Sequence, residues 1–182
     1  MAVCARMVQK DAPRRVALIG FMGAGKSSVG LTLARLLAWQ FVDLDEVIEE
    51  EQGRTIRQIF AAVGEPGFRT VESAALRQFA DAERMVLAVG GGAIVQPTNR
   101  DFFRHWATFY LAAPLAELCE RTGSPGGRPL LDLSAAQLCA LYERREPIYR
   151  SVGIRIDTAG KSVSAVAAAI LERLRSGAAS CE

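Results

Sequence analysis

The sequence predicts an α/β fold with a parallel central sheet, and three observations carry that expectation. Short apolar runs alternate with longer stretches of helical period along the chain. The runs 16–19 and 85–89 are apolar without alternation, as strands covered on both faces must be. Between the first run and a helical stretch, Gly20-Phe21-Met22-Gly23-Ala24-Gly25-Lys26-Ser27 fits G-x-x-x-x-G-K-[ST], the phosphate loop.

Each element has its own reason. Strand 16–19 feeds the loop, whose glycines allow a sharp turn that points several backbone N–H groups into one concavity. Those groups and the helix N-terminus attract an anion. Lys26 adds positive charge for β- and γ-phosphates, and the Ser27 hydroxyl suits Mg2+. The helix behind it carries Val29, Leu33, Leu36 and Leu37. Phe41-Val42 is a short strand ending at Asp43, and Asp43-Leu44-Asp45 opens a helix through Glu51 that Gly53 stops. Thr55 and Gln58 form a capping box ahead of Ile56, Ile59, Phe60 and Val63. Gly64, Pro66 and Gly67 break that helix, and 68–79 reads as another with Phe68, Val71, Ala75, Leu76 and Phe79 inward.

Strand 85–89 runs into Gly90-Gly91-Gly92. Thr98 is placed to cap a short helix reaching Arg104, and strand 108–111 follows. Pro114 suits the first turn of a helix ending near Thr122. Residues 123–129 are a Gly/Pro loop, and Ser134 with Gln137 makes a second capping box. The helix behind it carries Leu138, Leu141 and Tyr142 until Pro147 kinks or ends it. After strand 154–156, Val163, Val166, Ala167, Ile170, Leu171 and Leu174 stripe the last helix. Residues 1–13 read as a disordered lead-in, 14–176 as one domain and 177–182 as a frayed tail.

Composition narrows the function. A net charge of +2 over 182 residues is too small to argue for nucleic acid or a membrane surface. The longest uncharged run, 85–99, is shorter than the roughly 18 residues of a spanning helix and is interrupted by glycines and Pro97. The first dozen residues lack a long apolar stretch, so no secretory signal is expected. Cys4, Cys119, Cys139 and Cys181 form no metal-binding or redox spacing. Cys119 and Cys139 read as buried free thiols, which points to a reducing compartment and a cytoplasmic protein. The single histidine, His105, reads as a capping or packing residue, which removes histidine triads and histidine zinc sites.

Three strand ends carry unusual residues: the phosphate loop, Asp43 with Asp45, and the triple glycine. Ligands of open parallel sheets bind beyond the carboxyl ends of strands, so all three should line one cleft. Asp43 and Asp45 read either as helix caps or as groups facing a metal and a substrate. Arg69 at a helix start opposes the helix dipole, which hints at an anionic partner, with an ion pair to Glu72 as the alternative. Arg144, Arg145 and Arg150 surround Glu146-Pro147-Ile148-Tyr149, and Arg128 sits in the Gly/Pro loop as a lid arginine would.

Taken together, GFMGAGKSS, DLDEVIE, Phe68-Arg69, GGGA, R-P-L-L from Arg128 and R-E-P-I-Y-R from Arg145 resemble the shikimate kinases in order and spacing. The resemblance implies a three-layer, nucleoside-monophosphate-kinase-like P-loop fold with a parallel sheet, a substrate-binding region about 43–80 and a mobile lid about 122–133. It implies ATP-dependent phosphorylation of the shikimate 3-hydroxyl, with ATP as co-substrate and Mg2+ as cofactor. Asp45, Arg69, Gly91 and Arg145 match the shikimate-binding residues, and Glu72 would hold Arg69. Ser27 and Asp43 match the metal site. Gly23, Ala24, Gly25, Lys26, Ser27 and Ser28 match the phosphate cradle, with Arg121 against adenine and Arg128 from the lid. Lys26, Asp45 and Arg128 would be catalytic. Lys161-Ser162-Val163 stands where the family usually has Arg-Ser-Pro, so Lys161 keeps only the positive charge of that adenine contact. The partners are small molecules, and a monomer is expected.

Two other functions compete. One is a kinase for another small acid such as gluconate, or for a nucleoside monophosphate. The other is a GTPase switch, for which Asp157-Thr158-Ala159-Gly160 fits D-x-x-G, although no N-K-x-D motif accompanies it.

Overall fold

Five parallel strands form one sheet in the computed structural model, which describes residues 13–122 and 133–177. They are β1 (Arg15–Ile19), β2 (Gln40–Asp43), β3 (Met85–Ala88), β4 (Ala107–Ala112) and β5 (Ile154–Asp157), in the order β2-β3-β1-β4-β5. The central strands β3 and β4 are buried along their whole length, as their unbroken apolar runs require. The chain leaves β1 toward β2 and β3 on one side and later returns to β4 on the other. A crevice therefore opens at the carboxyl edge between β1 and β3. Register brings the strand ends level there, with Leu18 and Asp43 both opposite Ala88.

The helices are α1 (Lys26–Leu37), α2 (Leu44–Gln52), α3 (Ile56–Arg77), α4 (Arg100–Phe103), α5 (Leu115–Thr122), α6 (Ala135–Val152) and α7 (Val163–Arg175). Two short 3-10 turns, Ala93–Val95 and Pro97–Asn99, follow β3. Successive residues of a strand face opposite sides of a sheet. Leu18 reaches Gly30 of α1, whereas Ile19 reaches Gly153 at the end of α6, so these two helices cover opposite faces. Helix α7 packs beside α1, completing three layers. Among the described residues no helix is long and apolar enough to cross a membrane.

Both expected capping boxes form, at Thr55/Gln58 and Ser134/Gln137. Elsewhere the structure corrects the expectations. The helix break at 64–67 narrows to Gly64 alone (φ 67°, ψ −179°), after which α3 resumes through Pro66. Helix α6 continues through Pro147 to Val152. Thr98 caps nothing, because Pro97 opens the turn in its place. His105 is exposed, neither packed nor capping with its side chain, where the turn after α4 closes.

Leu36 is 53% exposed and Val63 51% exposed, although both fall on stripes expected to face inward. At about 100° per residue, Leu36 lies about 90° from the middle of the arc formed by Lys26, Val29, Leu33 and their neighbours. Val63 falls where the Gly64 break ends its helical segment. Val163 also lies partly outside its stripe, in the first turn of α7. Cys119 is exposed, because Leu118 takes the inward position of α5, and Cys139 on α6 is half-buried. Residues 123–132, with the expected lid and Arg128, lie outside the described residues, as do 1–12 and 178–182.

One helix end is strained in a correctable way. Ala38 closes α1 in the left-handed region (φ 54°, ψ 45°), where its N–H caps Ala34 and Arg35 carbonyls. A Cβ there costs about 1–2 kcal/mol, and the side chain is exposed, so nothing is gained by packing. Ala38→Gly is expected to raise stability by about 1 kcal/mol, read as a thermal midpoint about 2–4 °C higher.

Candidate active site

The loop after β1 is shaped by close approach as much as by dihedral freedom. Gly23 has φ +75°, and a Cβ on it would lie 2.3 Å from the Leu118 carbonyl oxygen. Gly20 packs against the Leu111 carbonyl in the same way. Lys26 is buried, and its Nζ donates to the carbonyls of Gly20 and Phe21, both at 3.0 Å. Gly23, Gly25, Lys26, Ser27 and Ser28 line a cleft of about 440 Å³ together with Asp43 and Asp45. Ala24 does not line it: its side chain is buried and its N–H bonds to Phe21.

Asp43 is the helix cap, and its second oxygen reaches the phosphate loop. Its Oδ1 accepts from the Asp45 N–H at 3.1 Å and caps α2, while its Oδ2 accepts from the Ser27 hydroxyl at 2.5 Å. A hydroxyl and a carboxylate oxygen thus meet at the rim of the phosphate cradle. Hard oxygen donors few in number suit Mg2+, which keeps several waters and binds few protein groups.

A second cleft, of about 530 Å³, brings together Asp45, Arg69, Gly91 and Arg145, all four residues matched to the acceptor substrate. Arg69 and Arg145 are both buried, an arrangement that requires charged partners. Arg69 donates to Glu72 at 2.6 Å and to Glu65 at 3.1 Å, and its guanidinium lies 5.3 Å from the Phe68 ring centre. Glu65 also approaches Arg145 at 4.0 Å, so one exposed carboxylate stands beside both guanidiniums. Burial alone would lower the Arg69 pKa, but Glu72 and Glu65 together raise it. Glu72, 1% exposed, is pushed up to about 7, because loss of water outweighs the attraction of Arg69.

A Cβ on any of the three glycines would crowd the site. A Cβ on Gly90 would stand 3.0 Å from Asp45 Oδ1 and 3.1 Å from Glu72 Oε1. One on Gly91 would meet the Tyr149 hydroxyl at 2.6 Å, and one on Gly92 the Arg69 guanidinium at 2.1–2.3 Å. The sequence marks these glycines as a place of close approach but leaves Glu65 and Tyr149 unmarked. The signal for Tyr149 was its position four residues after Arg145, which puts the two on one helix face.

Arg121 and Lys161 lie elsewhere, at the turn after β5. Arg121 donates to the Thr158 carbonyl at 2.8 Å and to its hydroxyl at 3.1 Å, and also pairs with Glu117. Lys161 donates to the Asp157 carbonyl at 3.0 Å. The two matched adenine contacts therefore share one loop. The same bonds show that Asp157-Thr158-Ala159-Gly160 is a turn held by Arg121.

The two clefts share Lys26, Asp45 and Gly90. A phosphate cradle opening into a pocket walled by two buried arginines marks a P-loop kinase of small molecules. The shikimate kinase family model matches residues 22–175. The shikimate kinase of Geobacter metallireducens is 44% identical over 160 residues, covering 86% of this chain and 89% of that protein. The structure of Acinetobacter baumannii shikimate kinase in complex with shikimate superposes with a TM-score of 0.87 at 39% identity, covering 90% of this chain and 94% of that one. The chain belongs to the shikimate kinase family. A gluconokinase from Sinorhizobium meliloti shares the fold (TM-score 0.59, 18% identity, 93% and 97% covered), and at that identity the fold alone.

Proposed function

We propose that this chain transfers the γ-phosphoryl group of ATP to the 3-hydroxyl of shikimate. The observation that carries this reading is the shared wall of the two clefts, where Lys26 and Asp45 face both the phosphate cradle and the acid pocket. Arg69 and Arg145 grip the carboxylate, since guanidiniums pair with it through charge-assisted bonds. Asp45 accepts from the ring hydroxyls, orients the acceptor oxygen in line with the γ-phosphorus and takes its proton as the new P–O bond forms. The old bond to the β-phosphate oxygen breaks, and Lys26 and Arg128 stabilise the charge on the transferred group.

Ser27 and Asp43 would hold Mg2+. When bound, the ion neutralises charge on the β- and γ-phosphates. Arg121 and Lys161 hold the turn at the adenine end. Turnover of about 1–100 s⁻¹ is expected. The reading includes a monomer in the cytoplasm, and sedimentation at assay concentration tests the first of these.

ADP release measured with and without shikimate tests the assignment. Shikimate should stimulate turnover in the wild type. Arg145→Ala should weaken shikimate binding about tenfold or more, the loss of a charge-assisted bond of about 1.5–3 kcal/mol. Turnover that shikimate leaves at background would overturn the assignment.

A further inference from the structure

Tyr149 lines neither the phosphate cradle nor the acid pocket, yet it reaches Gly91 in the wall of the acid pocket. It is fully buried at the end of α6, with its ring 5.3 Å from that of Tyr110. Its hydroxyl donates to the Gly91 carbonyl at 2.8 Å. The Gly20 carbonyl crowds the same side of Gly91, where a Cβ would approach it to 2.8 Å. That same Gly20 carbonyl accepts from Lys26 Nζ. A continuous path thus runs from α6 through Tyr149, Gly91 and Gly20 to the phosphate-binding lysine. Tyr149 and Arg145 are the two buried residues of α6, four apart, so they lie on one face of the helix.

We infer that Tyr149 is a positioning residue: its hydroxyl clamps the Gly91 peptide against the phosphate loop and fixes the reach from the acceptor hydroxyl to the phosphoryl group. Burial pushes the hydroxyl up to about 12, with Arg145 pulling the other way, so it remains a donor across the working range. The inference rests on the proposed activity, and wild-type stimulation by shikimate checks that activity separately.

Tyr149→Phe keeps the ring and removes only the hydroxyl. It should lower kcat/KM for shikimate about tenfold, as expected for a buried carbonyl that loses its donor. MgATP affinity without shikimate should stay within about twofold, and the thermal midpoint within about 4 °C. Gly91→Ala should cost less when combined with Tyr149→Phe than in the wild type, because one of its two clashes is gone. A kcat/KM for shikimate within about twofold of wild type sinks the inference. So does an equal loss of MgATP affinity, or strict additivity of Tyr149→Phe with Gly91→Ala.

Discussion

Gly92→Ala should cut kcat/KM for shikimate about 10²-fold while leaving MgATP affinity intact. The backbone is no obstacle, because Gly92 already has helical dihedrals (φ −89°, ψ −28°) that alanine adopts freely. The obstacle is Arg69, whose guanidinium atoms lie 2.1–2.3 Å from where the Cβ would be. That group is the mobile end of a long side chain, so it gives way and the chain still folds. To reach ordinary contact it must retreat by more than about 1 Å, and misplacement on that scale costs about 10²-fold. The phosphate cradle contains no part of Arg69, which is why nucleotide binding is spared. Steady-state kinetics with shikimate as the varied substrate, beside a calorimetric titration with MgATP, separates the two. Near-wild-type kcat/KM would mean that Arg69 does not work from the position seen here.

The same contact shows what the sequence could and could not disclose. The phosphate loop was legible because its spacing encodes backbone geometry, and strand 85–89 because a strand buried on both faces leaves no polar alternation. Asp43 was legible as a residue of interest but not as one doing two jobs. Its two oxygens divide between Ser27 and the Asp45 N–H, and only coordinates separate them. The triple glycine was recognisable as a place of close approach, yet its four side-chain partners come from α2, α3 and α6. Contacts between elements far apart in the chain leave no local period to read. Pro147 misled for the opposite reason: the local rule says stop, and α6 continues because Arg145 and Tyr149 are held on either side of it by the site and the core. Glu65 follows the Gly64 kink, and its approach to both guanidiniums depends on how that kink aims the chain.

Glu72→Gln should gain stability relative to the wild type as pH rises through neutrality, and should be a poorer enzyme. Glu72 is fully enclosed by Arg69 on its own helix, Asp45 from α2, and Arg145 and Tyr149 from α6. Burial raises it from an ordinary 4.5 to about 7, with Asp45 adding to the rise while Arg69 and Arg145 oppose it. The folded state therefore holds this proton more tightly than the unfolded chain does. Its contribution to stability is complete below about pH 4.5 and is lost as pH rises through about 7, a swing of about 3 kcal/mol. Glutamine cannot ionise, so the stability of the variant relative to wild type should climb by about that amount across the same range. The cost falls on Arg69, whose 2.6 Å partner becomes neutral. Charge-assisted bonds are roughly twice as strong as neutral ones, so the guanidinium is held less firmly for a substrate carboxylate. Shikimate kcat/KM should fall about tenfold near pH 8. Denaturant titrations of both proteins from about pH 4.5 to about 8 test the first half. Parallel stability curves would show that Glu72 titrates as it does in the unfolded chain, and the trade between stability and substrate binding would then have no basis in this carboxylate.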